Sequence, residues 1–232
     1  MYPEFQNELT SKLPSDAKFR TPKPSEIDEE GFGNFQDVID LRGTTVEEAQ
    51  RYLASHLRVL DFIHEHAITP ESFEEHANAF EAGGAGETGL SGVTAGQLDR
   101  MMDSYDCDLG GLELGVGALA YALSAAKIFP AASCRSHNTR SWAPYPVVYF
   151  ASNRSRAELL QELVDLNRCG FETDPNRPDL LVVAASSLVD LLALTHSVVD
   201  NLAKFRSLTT RSNAIRKTRP VAKYVQTSLL DD

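Results

Sequence analysis

Cysteine is scarce in this 232-residue chain: Cys107, Cys134 and Cys169 are the only three, with no Cys-x-x-Cys pair among them. That odd, scattered set excludes a disulfide framework and a four-cysteine zinc site, and points to reduced thiols. Long apolar runs are missing too, since nothing approaches the roughly 20 uninterrupted apolar residues that span a bilayer. The opening segment, MYPEFQNELTSKLPSDAKFR, is polar where a signal peptide needs an apolar centre. The sequence therefore predicts a cytoplasmic globular protein with no membrane association, and its 42% apolar content is ordinary for a folded core. No Gly-x-x-x-x-Gly-Lys-Ser/Thr, Gly-x-Gly-x-x-Gly or Gly-x-Ser-x-Gly stands in a usable setting, which removes the P-loop, dinucleotide-binding and hydrolase-elbow readings.

Two stretches lack acid altogether. The formal charge is −11, yet residues 201–230 contain seven Lys/Arg and no Asp or Glu. Residues 114–157 likewise contain no acid, while Lys127, Arg135, Arg140, Arg154 and Arg156 all fall there. Charge so segregated predicts a cationic arm at the end of the chain and one positive pole on an acidic body.

Residues 1–35 are rich in Pro, Lys, Ser and Glu, which reads as an extended arm. Residues 36–106 read as a helical region. Apolar positions recur every three or four residues from Val46 to Ile63 behind the capping Thr45, and Pro70 suits the first position of a second helix. The six glycines of residues 83–96 mark a loop or linker. Residues 107–206 read as an α+β core: a helix over about 112–127, strands over about 131–133 and 146–151, a helix over about 156–168 ended by Cys169-Gly170, the apolar strand LLVVAA, and a last helix over about 188–205. Residues 207–232 form a basic, flexible tail. The fold expected is α+β, a small sheet with helices packed on it, preceded by a helical region.

Between the first two strands lies the loop that gathers most of the chemistry: Cys134, Arg135, His137, Asn138, Arg140 and the only tryptophan, Trp142. With Arg154 and Arg156 opening the next helix, a closed hairpin is expected to bring two basic stretches to one phosphate- or carboxylate-binding hollow, with Trp142 as a stacking wall. The competing expectation is that the arginines pair with the acid-rich N-terminal helices. Cys134 and His137, spaced i, i+3, suit a nucleophile beside a base or half a metal site, but the sequence names no acid to orient the imidazole and no further ligands. No metal site and no cofactor are expected. The His64-Glu65-His66 and Glu74-Glu75-His76 groups lack His-Glu-x-x-His spacing and read as solvated polar faces.

Ser133, Cys134 and His137 in the segment running from about Gly111 to Ala185 resemble an uncharacterised group of bacterial proteins in which a strand ends in Ser-Cys-x-Gly-His and a second strand follows a short loop. Ser136 stands where that group has glycine. At the other end, Gln226-Thr227-Ser228-Leu229-Leu230 resembles the short peptide by which bacterial replication and repair proteins dock on the sliding clamp, with Gln226, Leu229 and Leu230 as its contacts. The resemblances imply a bacterial protein but no activity.

Two functions follow from these residues. The first is a binding or accessory module that takes a phosphate-bearing ligand or nucleic acid through Arg135, His137, Asn138, Arg140, Trp142, Arg154 and Arg156, with the cationic tail tethering it to nucleic acid or a partner such as the clamp. The second is an enzyme in which Cys134 attacks or binds metal and His137 moves protons on a phosphate-bearing substrate or RNA.

Overall fold

The segment VGALAYALSA has no polar side, and in the computed structural model of the chain it forms a helix, Val116–Ala125, with all 10 residues buried. The rest of the fold is arranged around it. The structure describes residues 3–5, 8–27, 39–83, 93–103, 107–137 and 142–208, apart from the side chains of 93–95. Among these residues the helices are α1 (Val46–His66), α2 (Pro70–Ala82), α3 (Val93–Met102), α4 (Val116–Ala125), α5 (Arg154–Leu166), α6 (Leu188–Asp200) and α7 (Leu202–Ser207). The strands are β1 (Phe129–Cys134), β2 (Val147–Ala151), β3 (Cys169–Glu172) and β4 (Leu181–Ala185). They form one antiparallel sheet in the order β1-β2-β4-β3, so the chain is an α+β protein with a helical N-terminal region. None of the described helices is long and apolar enough to cross a membrane.

Local chemistry accounts for the element boundaries. Thr45 and Thr69 each accept a backbone hydrogen bond inside a capping box, Pro70 opens α2, and Asn153 and Ser187 cap α5 and α6. Alternate residues of each strand then face two different clusters. Val148, Phe150, Leu181 and Val183 turn to the helices, packing in one core with residues of α1, α4, α5 and α6. Cys134, Val147, Val182 and Ala184 turn to the other face, where Ala143, Leu9, Tyr145 and Tyr149 cover them.

Three expectations are corrected. The sheet has a fourth strand, β3, where Cys169-Gly170 was expected to stop a helix; α5 ends instead at Asn167, and Arg168 takes the left-handed turn with φ 53°. The helix expected over 112–127 is shorter because Gly115 at φ 80° precedes it and Lys127 at φ 63° follows it. The last helix is divided at Asn201 into α6 and α7.

The described part of the arm runs extended along β3 and the start of α6. Glu4 bridges Ser187, Thr10 bridges Phe171, and the Phe171 N–H donates to the Thr10 carbonyl oxygen at 2.7 Å. Ser11 and Leu13 add hydrogen bonds to Asp165 and Gln161 on α5. Gly170 makes this approach feasible: a Cβ there would sit 2.6 Å from the Leu9 Cβ and 3.0 Å from the Thr10 backbone. Gly170→Ala should therefore lift the arm while sparing the helical core. Limited proteolysis is expected to cut within residues 3–13 roughly tenfold faster with unchanged helical circular dichroism, the scale of an overpacking penalty of about 1–3 kcal/mol. Unaltered cleavage would show that the close approach is not what seats the arm.

Candidate functional site

Seven residues apart on α2, Glu74 and Glu81 fall on one face with Asn78 between them, because i, i+4 and i+7 positions stack along a helix. Into this face β1 delivers Arg135. Its guanidinium donates from Nε to Glu81 Oε1 at 2.6 Å, from Nη1 to Glu74 Oε2 at 2.8 Å and from Nη2 to Asn78 Oδ1 at 2.6 Å. Further Nη2 contacts of 3.2 Å reach Glu74 Oε1 and Glu81 Oε2, and only 1% of the side chain is exposed. An arginine so buried is tolerable only with its charge matched and its donors occupied.

The segment before α4 closes the cage from a second side. The Leu114 N–H donates to Glu81 Oε1 at 2.8 Å, and the Gly115 N–H donates to Nδ1 of buried His56 at 2.9 Å. Burial keeps that histidine neutral, its pKa pushed down to about 3, so Nδ1 can accept. Pinned in this way, Glu113 accepts the Arg135 backbone N–H on Oε2 at 2.7 Å and faces His137 Nε2 with Oε1 at 2.9 Å. The other ring nitrogen, Nδ1, lies 2.9 Å from Glu74 Oε1.

An imidazole with a carboxylate on each nitrogen is held as the doubly protonated cation. Hydrogen bonds to Glu113 and then Glu74 lift its pKa to about 10 against the opposing effects of burial and Arg135. Burial alone would raise Glu74, but hydrogen bonds from His137 and Arg135 outweigh it and hold that carboxyl down at about 2. Glu113 is lowered in the same way, burial being overcome by the bonds from His137 and the Arg135 N–H. For Glu81 burial wins and pushes the carboxyl upward, whereas Arg135 is shifted toward its charged form, chiefly by Glu81 and Glu74 against burial. The 2.6 Å contact from Nε decides between these opposing tendencies: Glu81 is a carboxylate.

Cys134 ends β1 opposite Val147, 1% exposed, on the apolar face of the sheet. Its Sγ, a ring nitrogen of His137 and a carboxylate oxygen of Glu113 all lie within 4.8 Å of one another. Ser136 makes this possible, since its left-handed conformation, φ 68°, turns the chain sharply between the thiol and the imidazole. A side chain at such a φ is strained.

The expected hollow lined by two basic stretches is not what the structure displays. Arg135 follows the end of β1, whereas Arg154 follows the end of β2, and the two strands are antiparallel. The six residues of β1, at about 3.3 Å each, put the stretches at opposite ends of the hairpin, roughly 17–20 Å apart. Arg135 pairs with the N-terminal acids, the competing expectation. Arg154 is exposed, 4.2 Å above the Phe19 ring and 3.7 Å from Glu158. Arg156 is buried and donates from Nη2 to the Leu208 carbonyl oxygen at 2.8 Å. Trp142 is exposed and tilts against Tyr149, with ring centroids 5.6 Å apart. Asn138 and Arg140 lie outside the described residues, as do Gln226, Leu229 and Leu230 of the tail.

Sequence reasoning missed Glu74, Asn78, Glu81 and Glu113. Glu74 was read as part of a solvated face, and it supplies one of the two carboxylates that orient His137, the acid the sequence could not name. His76, in the same group, is buried and its Nδ1 lies 2.6 Å from the Ser72 carbonyl oxygen. The comparisons add nothing to this geometry: no protein-family model, no curated protein and no solved structure matches the chain.

Two stability measurements probe the cage. Arg135→Leu strands two carboxylates and is expected to lower the unfolding free energy by about 3–5 kcal/mol in denaturant melts, with part of the loss recovered when Glu81→Leu is added. A wild-type midpoint for the single variant contradicts this. Ser136→Gly relieves the left-handed strain at some entropic cost and should stabilise by about 0.5–1 kcal/mol. A destabilised Ser136→Gly protein would mean that the serine side chain contributes more than its backbone strain removes.

Proposed function

We propose that the protein is an enzyme whose working groups are Cys134 and His137, and that Glu74, Glu113 and Arg135 hold them in place. The observation that carries this reading is the meeting of a thiol, an imidazole and a carboxylate within 4.8 Å, at a point where three separate segments converge. Such a meeting is expensive to build. Buried ion pairs contribute little to stability compared with apolar residues of the same shape, and strongly shifted titrations gather where proteins do chemistry. Glu113 and His137 keep 33% and 22% of their side chains exposed, whereas Cys134 keeps 1%.

The phosphate-binding module is less well supported. Its central contact, Arg135, spends its hydrogen bonds on Glu74, Glu81 and Asn78 and is closed off from a ligand. The chemistry that fits carboxylate, imidazolium and thiol together is hydrolysis, in which the protonated ring gives a proton to the leaving group.

A panel of chromogenic esters tests the reading on the full-length protein: an aryl phosphate, a bis-aryl phosphate and an aryl acetate. Turnover of at least one is expected, falling by at least about a hundredfold in Cys134→Ser and in His137→Ala, and unchanged in Arg154→Ala. If the wild type cleaves none of the three, or if Cys134→Ser keeps the full rate, the enzyme reading fails.

A further inference from the structure

The positions of Cys134, His137 and Glu113 have a second property. Around a tetrahedral zinc-type ion, with ligands at about 2.0–2.3 Å, neighbouring donor atoms lie roughly 3.3–3.6 Å apart. Here Sγ, ring nitrogen and carboxylate oxygen are already within 4.8 Å, and the nitrogen–oxygen separation of 2.9 Å needs to open by only about half an ångström. The donors are one sulfur, one nitrogen and one oxygen, a set that suits zinc, cobalt or iron and suits magnesium or calcium poorly.

The surroundings have the form of an outer shell. Metal-bound histidines donate their remote N–H to a carboxylate, which fixes the ring and its tautomer. His137 does this with Nδ1 against Glu74 at 2.9 Å, leaving Nε2 on the side of Glu113. Glu74 is itself held by Arg135, and the Arg135 backbone N–H holds the second oxygen of Glu113. Each donor is therefore oriented by a further contact or by the sheet: Glu113 by a backbone amide, His137 by Glu74, and Cys134 by its pairing with Val147.

We propose that Cys134 Sγ, His137 Nε2 and Glu113 Oε1 ligate one divalent transition-metal ion of the zinc class, with Glu74 as the carboxylate behind the histidine and a fourth position open to water. This inference rests on the reading of Cys134 and His137 as working groups and specifies how both serve: as ligands, the thiol not as the attacking atom and the imidazole not as the proton carrier. A site with three protein ligands and one open position is the arrangement of catalytic zinc, where the bound water becomes the nucleophile.

The test uses the full chain stripped with a chelator, dialysed and titrated with Co²⁺ and Zn²⁺. One ion per chain is expected, and the cobalt form should show the near-ultraviolet thiolate-to-cobalt band together with intense visible bands of a tetrahedral centre. Cys134→Ser should abolish the thiolate band and weaken Zn²⁺ binding more than about a hundredfold, and Glu74→Gln should keep the band while weakening binding about 10–100-fold. Cys107→Ser and Cys169→Ser should leave both unchanged. In the unaltered protein, zinc-edge X-ray absorption should show one sulfur ligand at about 2.3 Å, a readout that does not depend on any variant folding. Absence of the band in the wild type, its survival in Cys134→Ser, or a zinc shell without sulfur overturns the metal site. Ester turnover that ignores the chelator sinks the metal site and leaves the enzyme reading standing. A bound ion without turnover of any ester does the reverse.

Discussion

A guanidinium taken out of water must find its counter-charges inside the protein, and Arg135 finds them on a helix far away in the sequence. Its contacts to Glu74, Asn78 and Glu81 tie the end of β1 to α2. Through Glu113 the same arginine reaches the segment before α4, which Glu81 and His56 hold by two backbone amides. These contacts fix three segments at one point and set Glu74 and Glu113 on the two sides of His137. Satisfying one buried charge is thus the constraint from which the geometry of the site is inherited.

The division of labour across β1 has the same origin. Arg135 leaves the sheet toward the helices and their acids, while Cys134, one residue earlier, packs with Val147, Val182 and Ala184 on the opposite, apolar face. Alternation along a strand sends neighbours to opposite sides, and the left-handed turn at Ser136 then swings His137 back toward the thiol. A hydrophobic wall and a charged cage meet at one strand end. That boundary, where one side excludes water and the other supplies fixed charges, is where a polarisable thiol and an imidazole can influence one another strongly.

Much of the fold was legible. The three-four spacing of α1, the Pro70 start of α2, the LLVVAA strand and the Asn153 and Ser187 caps all state their local structure in residues that act locally. β3 was not legible, because CGFE is four residues long, begins where a helix would end, and is made a strand by β4 on one side and Thr10 on the other. In the site, the loop announced itself through its rare residues. Its partners did not: Glu74, Asn78 and Glu81 look like the wet face of a helix until Arg135 arrives from more than 50 positions later. The convergence of Arg135 with Arg154 failed for a topological reason, since a hairpin brings its strands together side by side and keeps its turn and its outer ends apart. The missing acids of residues 114–157 were the real signal, for a stretch without acids that buries an arginine must borrow them from elsewhere.

The arrangement of the sheet margins bears on how this molecule meets others. β3 already has Thr10 and the arm beside it, and β1, at the far margin, carries Pro130, a residue with no N–H, next to a register break against β2. Among the described residues neither margin offers a regular ladder of open amides and carbonyls. Strand addition from another polypeptide is thereby discouraged at both margins.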